Sequence, residues 1–111
     1  MSLVRPRRLA PGQTVGLVAP SAAANEPERL RFALETVESL GFRVRPGVHL
    51  FERDGYLAGT DAARAADLND MFADDAVDAI WCARGGYGAS RILPLLDLLA
   101  RLCCDAGVEV A

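Results

Sequence analysis

The residues best suited to binding chemistry form the segment Arg84-Gly85-Gly86-Tyr87-Gly88. Glycine has no Cβ, so a turn with three glycines in four residues lets its backbone come close to a ligand. Backbone N–H groups in such a turn can bind a phosphate, a carboxylate or an oxyanion. The segment offers hydrogen-bond donors but no nucleophile. The sequence therefore predicts a binding element rather than a complete catalytic site.

The elements around this segment predict where it lies. An apolar run over 77–82 precedes it and a leucine-rich stretch over 92–102 follows it, in the order strand, glycine turn, helix. A second short run, 14–19, ends at Pro20-Ser21 and predicts a buried strand. Sites in parallel sheets lie outside the carboxyl ends of the strands. We therefore expect Pro20-Ser21 and the glycine segment to meet at one edge of the sheet.

A helix and a strand are predicted between these two runs. Asn25 has the chemistry of an N-cap, Pro27 suits the first turn, and Gly41 is a typical helix stop. The apolar positions at helical spacing are Leu30, Ala33, Leu34, Val37 and Leu40. A half-buried strand is predicted over 42–45, followed by a loop over 48–59 with room for a short strand.

A second helix is predicted to begin at a cap on Thr60 or Asp61 and to end at Asp74-Asp75. Its expected apolar face consists of Ala65, Leu68, Met71 and Phe72. A last helix over 89–104, with Pro94 in its early turns, and a strand over 108–110 complete the pattern. Alternating strands and helices predict an α/β fold whose mostly parallel sheet has helices on both faces.

The bulk composition limits the function classes. The chain has 111 residues, 51% hydrophobic and 24% charged, which predicts one globular domain. A net charge of −3 without a long basic run argues against nucleic acid and anionic membrane as partners. No apolar stretch reaches the roughly 20 residues of a membrane span, and no signal segment is evident. We expect a cytoplasmic protein with reduced thiols at Cys82, Cys103 and Cys104.

Four ordered blocks of the sequence resemble the N-terminal part of the LD-carboxypeptidases, a serine peptidase family that includes the microcin-immunity peptidases. The resemblance covers about 9–97, and the blocks occur at family-like spacing, so their combination is more specific than any one of them. The matching blocks are residues 9–21 (LAPGQTVGLVAPS), 55–61 (GYLAGTD), 67–72 (DLNDMF) and 84–88 (RGGYG) with Arg91.

The resemblance implies a flavodoxin-like domain related in fold to class I glutamine amidotransferases. It also implies hydrolysis of an amide between an L- and a D-centre, without metal or cofactor, by a Ser–His–Glu group. The family's serine lies on a Gly-Tyr-Ser-Asp turn one strand after the glycine loop, and its His and Glu lie in a C-terminal domain. After Asp97 this sequence departs from the family and contains no such turn. We therefore expect the catalytic residues to lie outside this chain and the sheet to be truncated, so that the chain alone is inactive.

The resemblance predicts the role of the glycine loop, and the positions of the neighbouring residues predict theirs. Gly85 and Gly86 would direct a backbone N–H at the carbonyl under attack, Tyr87 would line the pocket or pack on the helix, and Gly88 completes the loop. Ser21 would order the edge through its hydroxyl or cap a turn. Arg84 would either bind a substrate carboxylate or pair with an acidic side chain, and the candidate partners are Asp54, Asp61 and Asp78.

Several competing interpretations are weaker. Residues 86–91 spell G-x-G-x-x-R, whereas a dinucleotide fingerprint ends in Gly or Ala and opens on the first strand. Ser90 lies within a predicted helix and lacks the strained elbow of a nucleophile. His49 is expected in a loop. The carboxylates expected to lie on solvated helix faces and ends are Asp67, Asp70, Asp74 and Asp75.

Two functions from different classes remain open. The first is the N-terminal half of an LD-carboxypeptidase-like enzyme, with a murein tetrapeptide or a microcin-like peptide as substrate. The second is a non-catalytic binding or interaction module that uses the same glycine loop. Trp81 is expected in the core or in an interface. A strand over 108–110 would leave an unpaired apolar edge, so we expect self-association into a homo-oligomer.

Overall fold

A three-stranded parallel sheet forms the centre of the computed structural model, which describes residues 5–24 and 26–97. The strands are β1 (Thr14–Val18), β2 (Arg43–Pro46) and β3 (Ala79–Cys82), in the order β2-β1-β3. Because β1 pairs with both neighbours, four of its five residues are buried. The predicted parallel α/β fold is confirmed. A flavodoxin-like sheet of order 2-1-3-4-5 begins with this arrangement, but that finer assignment stays a prediction.

The two long helices, α1 (Pro27–Ser39) and α2 (Asp61–Ala73), cover opposite faces of the sheet. Leu17 of β1 belongs to a buried cluster that contains Leu30 of α1. The preceding residue, Gly16, faces α2, because a Cβ at that position would lie 2.6 Å from the sulfur of Met71. Successive residues of a strand point to opposite faces. The predicted covering of both faces by helices is therefore confirmed.

The ends of α1 differ from the prediction in two details. Glu26 occupies the N-cap position, so the predicted cap at Asn25 is wrong, and Asn25 itself lies outside the described residues. Leu30 and Val37 are buried as predicted, whereas Leu40 is 54% exposed. Leu40 is the C-cap, beyond the last helical residue, so it no longer follows the apolar stripe. Gly41 then leaves the helix with φ +96°.

The predicted cap of α2 is confirmed, but its apolar face is only partly right. The hydroxyl of Thr60 accepts a hydrogen bond from the Ala63 N–H at 3.1 Å. Ala65 and Met71 are buried as expected, whereas Phe72 is 39% exposed. The remaining buried residues of α2 are Arg64 and Asp67, so the expectation that Asp67 lies on a solvated face is wrong.

The chain after β3 is less helical than predicted. Helix α3 covers only Ala89–Ile92 and is followed by a 3₁₀ turn over Leu93–Leu95. A continuous helix over 89–104 is therefore wrong in its described part, because Pro94 has no N–H to donate to the carbonyl one turn earlier. The rest of that helix, Cys103 and Cys104, and the predicted strand over 108–110 lie outside the described residues.

The connecting segments complete the architecture. The loop over 48–59 carries two isolated bridges, Ala22 with Leu57 and Asp54 with Leu57, in place of a strand. Trp81 of β3 is 49% exposed and Cys82 is exposed, so neither is a core residue of the described part of the chain. No helix within the described ranges is both long enough and apolar enough to cross a bilayer.

Candidate functional site

The segments that follow β1 and β3 meet at the carboxyl edge of the sheet, as the sequence predicts. A Cβ at Gly88 would lie 3.5 Å from the Cα of Ser21, and one at Gly86 would lie 3.7 Å from the Cβ of Ala22. We call residues 20–22 together with the glycine loop, 85–88, the rim. The structure thus brings Ser21 and the glycine loop together in one place.

Two of the three glycines in the loop are required by its geometry. Gly86 and Gly88 have φ +114° and +123°, a region that residues with a side chain rarely adopt. A Cβ would lie 2.6 Å from the Tyr56 hydroxyl at Gly86, and at Gly88 it would overlap the side chain of Leu57. Gly85 differs, because no atom lies within 4 Å of its Cβ position. The chain therefore leaves open space beside Gly85.

The backbone donors at this open space have no partner among the residues that the structure describes. Neither Gly85 nor Gly86 donates its N–H to another residue within the described ranges, and both residues are exposed. Adjacent N–H groups of this kind form the concave anion sites found in backbone nests. The rim can therefore offer hydrogen bonds to a carboxylate or to a developing oxyanion.

Arg64 holds the rim in place from beneath. It is 1% exposed, and its guanidinium donates from Nε to the Pro20 carbonyl at 2.9 Å. Nη1 donates to the Gly59 carbonyl at 2.8 Å, and Nη2 donates to the Gly88 carbonyl at 3.1 Å. Arg64 thus connects α2 to Pro20 and Gly88 of the rim and to Gly59 in the loop before α2.

Asp61 provides the counter-charge for this arginine. Its carboxylate accepts from Nη2 of Arg64 at 2.7 Å and lies 3.2 Å from Nη2 of Arg91. The hydrogen bond from Arg64, together with the charge of Arg91, lowers the pKa of Asp61. Asp61 in turn raises the pKa of Arg91. Asp61 therefore offsets part of the positive charge that the two guanidinium groups place below the loop.

Sequence reasoning missed the role of Arg64. Its signal was the spacing of Asp61 and Arg64, an i,i+3 pair at a helix N-terminus. That spacing usually marks a solvated pair, and only the position of Gly88 in space shows that the guanidinium is buried.

Arg84 has no acidic partner in the part of the chain that the structure describes. Its Nη1 donates to the Ala23 carbonyl at 2.8 Å. Of the three candidate partners, Asp61 binds Arg64 and Arg91, Asp78 accepts from the Thr14 N–H, and Asp54 forms no ion pair with it. The salt-bridge alternative is therefore wrong for the described residues, and the carboxylate-binding role stays a prediction.

Ser21 and Tyr87 lie at the rim in different environments. Ser21 is 3% exposed, and its carbonyl accepts from the Ala58 N–H at 3.0 Å. Its hydroxyl makes no hydrogen bond to the residues described, so the backbone of Ser21, rather than its hydroxyl, ties the rim together. Tyr87 is 65% exposed and does not pack as a core residue. Its role in lining a pocket stays a prediction.

His49 lies in the predicted loop but has a partner that the sequence did not reveal. Its Nδ1 is 2.7 Å from Oδ1 of Asp67, and its backbone N–H donates to Oδ2 of the same carboxylate at 2.9 Å. This hydrogen bond, reinforced by the charge of Asp67, raises the pKa of His49. Neither Ser21 nor Ser90 hydrogen-bonds to His49 in the described structure. This pair therefore anchors the loop to α2 and does not form a base–nucleophile pair.

No group of three or more His, Cys, Asp or Glu side chains within 5–24 and 26–97 converges as a metal site.

The family-model match and the curated relatives of this chain point to the same group of proteins. A family model described as the LD-carboxypeptidase N-terminal domain matches residues 15–102. A Streptomyces coelicolor protein that bears a carboxypeptidase name is 52% identical over 100 residues, which cover 86% of this chain and 31% of the relative. The murein tetrapeptide carboxypeptidase of Pseudomonas aeruginosa is 41% identical over 83 residues, 75% of this chain and 27% of the relative.

The solved structures agree with the sequence matches. The microcin C7 self-immunity protein MccF, in complex with glutamyl sulfamoyl guanosine, superposes with a TM-score of 0.80 at 28% identity. The match covers 88% of this chain and 30% of MccF, a protein whose curated sequence is from Escherichia coli. The chain thus spans about 30% of the length of the proteins it matches.

Proposed function

Because the chain belongs to the LD-carboxypeptidase family, we propose that it is the oxyanion-stabilising and substrate-binding part of a serine peptidase. The reaction is hydrolysis of the amide between an L- and a D-centre, as in release of the last D-alanine from a murein tetrapeptide. The name of the Pseudomonas aeruginosa relative supports this substrate class. The sulfamoyl nucleotide bound to MccF supports a peptidyl nucleotide as the second candidate substrate.

The free N–H groups of Gly85 and Gly86 carry this proposal. When a serine hydroxyl attacks the scissile carbonyl carbon, the carbonyl oxygen gains negative charge. A backbone N–H aimed at that oxygen stabilises the transition state by about 2.7–4 kcal/mol. The rim offers such donors at an open position, and Arg64 keeps them fixed before substrate arrives. Donors that are already in place need not reorganise during the reaction.

The catalytic serine, histidine and glutamate come from polypeptide outside these 111 residues. Ser21 is buried at the rim, and Ser90 lies in α3 without a histidine partner among the described residues. Nδ1 of His49 is already bound to Asp67. A nucleophile needs a base within hydrogen-bond reach, and neither serine has one here.

A chimaera tests this division of labour. Residues 9–97 of this chain replace the matching segment of the Pseudomonas aeruginosa murein tetrapeptide carboxypeptidase, and D-alanine release from murein tetrapeptide is measured. We expect turnover by the chimaera and none by the isolated chain. The parent enzyme is the positive control, and circular dichroism and Tm establish that each protein is folded.

Two results would overturn the proposal. Turnover by the isolated chain that Ser21→Ala or Ser90→Ala abolishes would place the nucleophile within it. A folded chimaera that binds the tetrapeptide without releasing D-alanine would favour the second function, a non-catalytic binding module.

A further inference from the structure

A cavity of about 280 Å³ lies beside the rim, between α1 and the segments that follow β1 and β3. Small apolar side chains form its walls, among them Ala22, Ala33 and Ala83. Among the described residues that line it, the two charged ones are Arg29 and Arg84, and none is a carboxylate. The cavity therefore carries positive charge on the side of the two arginines, and small apolar side chains line the rest of its wall.

Arg84 is held in position at this cavity. Its Nη1 donates to the Ala23 carbonyl at 2.8 Å, which fixes one edge of the planar guanidinium. A guanidinium has five N–H donors in a fixed arrangement that matches a carboxylate. The remaining donors of Arg84 face no acidic partner among the described residues. Within the described ranges, Arg84 is thus a cation anchored by one hydrogen bond whose other donors remain available.

Arg29 completes the charge of the cavity from α1. Its Nε lies 3.9 Å from the carboxylate of Glu26, and both side chains are mostly exposed. An exposed pair of this kind contributes little to stability. A carboxylate entering the cavity can therefore replace Glu26 as the partner of Arg29 with little loss.

The cavity adjoins the rim directly. Ala22 lines the cavity, and its Cβ lies 3.7 Å from the Cβ position of Gly86. Arg84 and Ala83 immediately precede Gly85 in the sequence. A group bound between the two arginines is therefore a short distance from the free N–H groups of the glycine loop.

We propose that this cavity binds the free carboxylate of a residue with a methyl-sized side chain, held by Arg84 and Arg29 against the alanine walls. Pockets for drug-sized ligands begin near 300 Å³, so this volume suits a ligand of one or two residues. The apolar walls favour such a ligand over an inorganic anion. Identification of the bound residue as the C-terminal D-alanine of the peptide substrate rests on the proposed function. Binding of a carboxylate in the cavity does not.

Binding of N-acetyl-D-alanine to the chain, measured by isothermal titration, tests the proposal. N-acetyl-D-alaninamide, which lacks the carboxylate, should bind about tenfold or more weakly. Arg84→Gln and Arg29→Gln should each weaken binding of the acid and leave binding of the amide unchanged. Arg31→Gln is the matched control, because it removes the same charge from an exposed position of α1 that does not line the cavity. Its affinity should equal that of the unmodified chain.

Ala33→Leu keeps both arginines but fills the cavity, because it places a larger side chain on the cavity wall. We expect it to abolish binding, and its Tm shows whether it folds. Equal affinity for acid and amide, equal affinity for inorganic phosphate, or equal weakening by Arg31→Gln would each overturn the proposal. If the chain binds the acid more tightly than the amide but the folded chimaera is inactive, only the proposed function is overturned. An active chimaera without carboxylate-dependent binding would overturn the cavity assignment alone.

Discussion

Arg64 donates a hydrogen bond from Nη2 to the carbonyl oxygen of Gly88 at 3.1 Å, and this bond connects α2 to the glycine loop. The same nitrogen binds Asp61 at 2.7 Å. A catalytic or binding loop needs support from residues whose own positions are fixed. Arg64 gives this support, because its guanidinium is fully buried and hydrogen-bonds to three carbonyls and one carboxylate.

Replacement of Arg64 should destabilise the whole domain. Arg64→Met leaves three buried carbonyls without their donor, at a cost of about 1–3 kcal/mol for each unsatisfied group, and removes one partner of a part-buried ion pair. In a domain of this size, Tm falls by about 4–8 °C for each kcal/mol. Arg64→Lys should be almost as destabilising, since an ammonium cannot reach four acceptors in different directions. Urea unfolding measures both changes.

Arg91→Gln is the matched control for Arg64. It removes the other arginine that contacts Asp61, but Arg91 is about half exposed. We expect only a small loss of stability, as for other exposed ion pairs. A loss for Arg64→Met as small as that for Arg91→Gln would show that Arg64 does not hold the rim.

The same added methyl group should destabilise the protein at Gly88 and have little effect at Gly85. Gly88→Ala places a Cβ against Leu57 at φ +123°, and backbone strain of this kind costs about 1–3 kcal/mol. Gly85→Ala adds a Cβ in open space at a φ outside the left-handed region, so the free energy of unfolding should change little. Thermal unfolding of the two variants side by side checks this. Equal destabilisation would contradict the loop geometry.

The face that α2 buries shows why sequence patterning succeeded only in part. The apolar pattern predicts a face of Ala65, Leu68, Met71 and Phe72. The structure buries Ala65 and Met71 of that face, leaves Phe72 39% exposed and buries two charged residues, Arg64 and Asp67, in addition. Apolar periodicity cannot detect these two, because their side chains are buried against groups distant in the sequence.

The pair of His49 and Asp67 should make stability depend on pH. The hydrogen bond to Asp67 raises the pKa of His49 in the folded state above the ordinary value of 6.5. The stabilisation is therefore complete below pH 6.5 and is lost as pH rises through the raised pKa. We expect the free energy of unfolding, measured in urea, to fall over that range.

His49→Gln should remove this fall of stability with pH. Glu52→Gln is the control, because the carboxylate of Glu52 lies 3.7 Å from Nε2, so most of the dependence should remain. An unchanged pH dependence in His49→Gln would show that this pair does not cause it.

The edge of the described sheet should cause self-association. Within the described residues β3 pairs only with β1, and its Trp81 is 49% exposed. An exposed strand edge with an aromatic side chain favours pairing with another chain. We expect dimers or larger species in size-exclusion chromatography with light scattering, and a shift towards monomer in Trp81→Lys. A monomeric unmodified chain with a sharp thermal transition would contradict this prediction.

The location of the rim could be predicted from sequence, but its internal geometry could not. Strand ends followed by Pro20 and by the glycine loop are local features, and parallel topology requires them to meet at one edge. Arg84, Arg64 and His49 each have a hydrogen-bond partner that lies 18 to 61 residues away in the sequence, namely Ala23, Pro20 and Asp67. Such contacts depend on how helices and loops pack after the strands are placed, and no local pattern encodes them.

Removal of single N–H donors tests the central claim most directly. In the active chimaera, an amide-to-ester exchange that replaces Gly85 or Gly86 by glycolic acid deletes one N–H without adding a side chain. The matched control is the same exchange at Gly55, a glycine that also has open space around its Cβ position. At least one of the two loop exchanges should lower kcat for D-alanine release by about 100- to 1,000-fold, while the Gly55 exchange leaves it unchanged. Full activity after both loop exchanges would contradict the assignment of the glycine loop as the oxyanion donor.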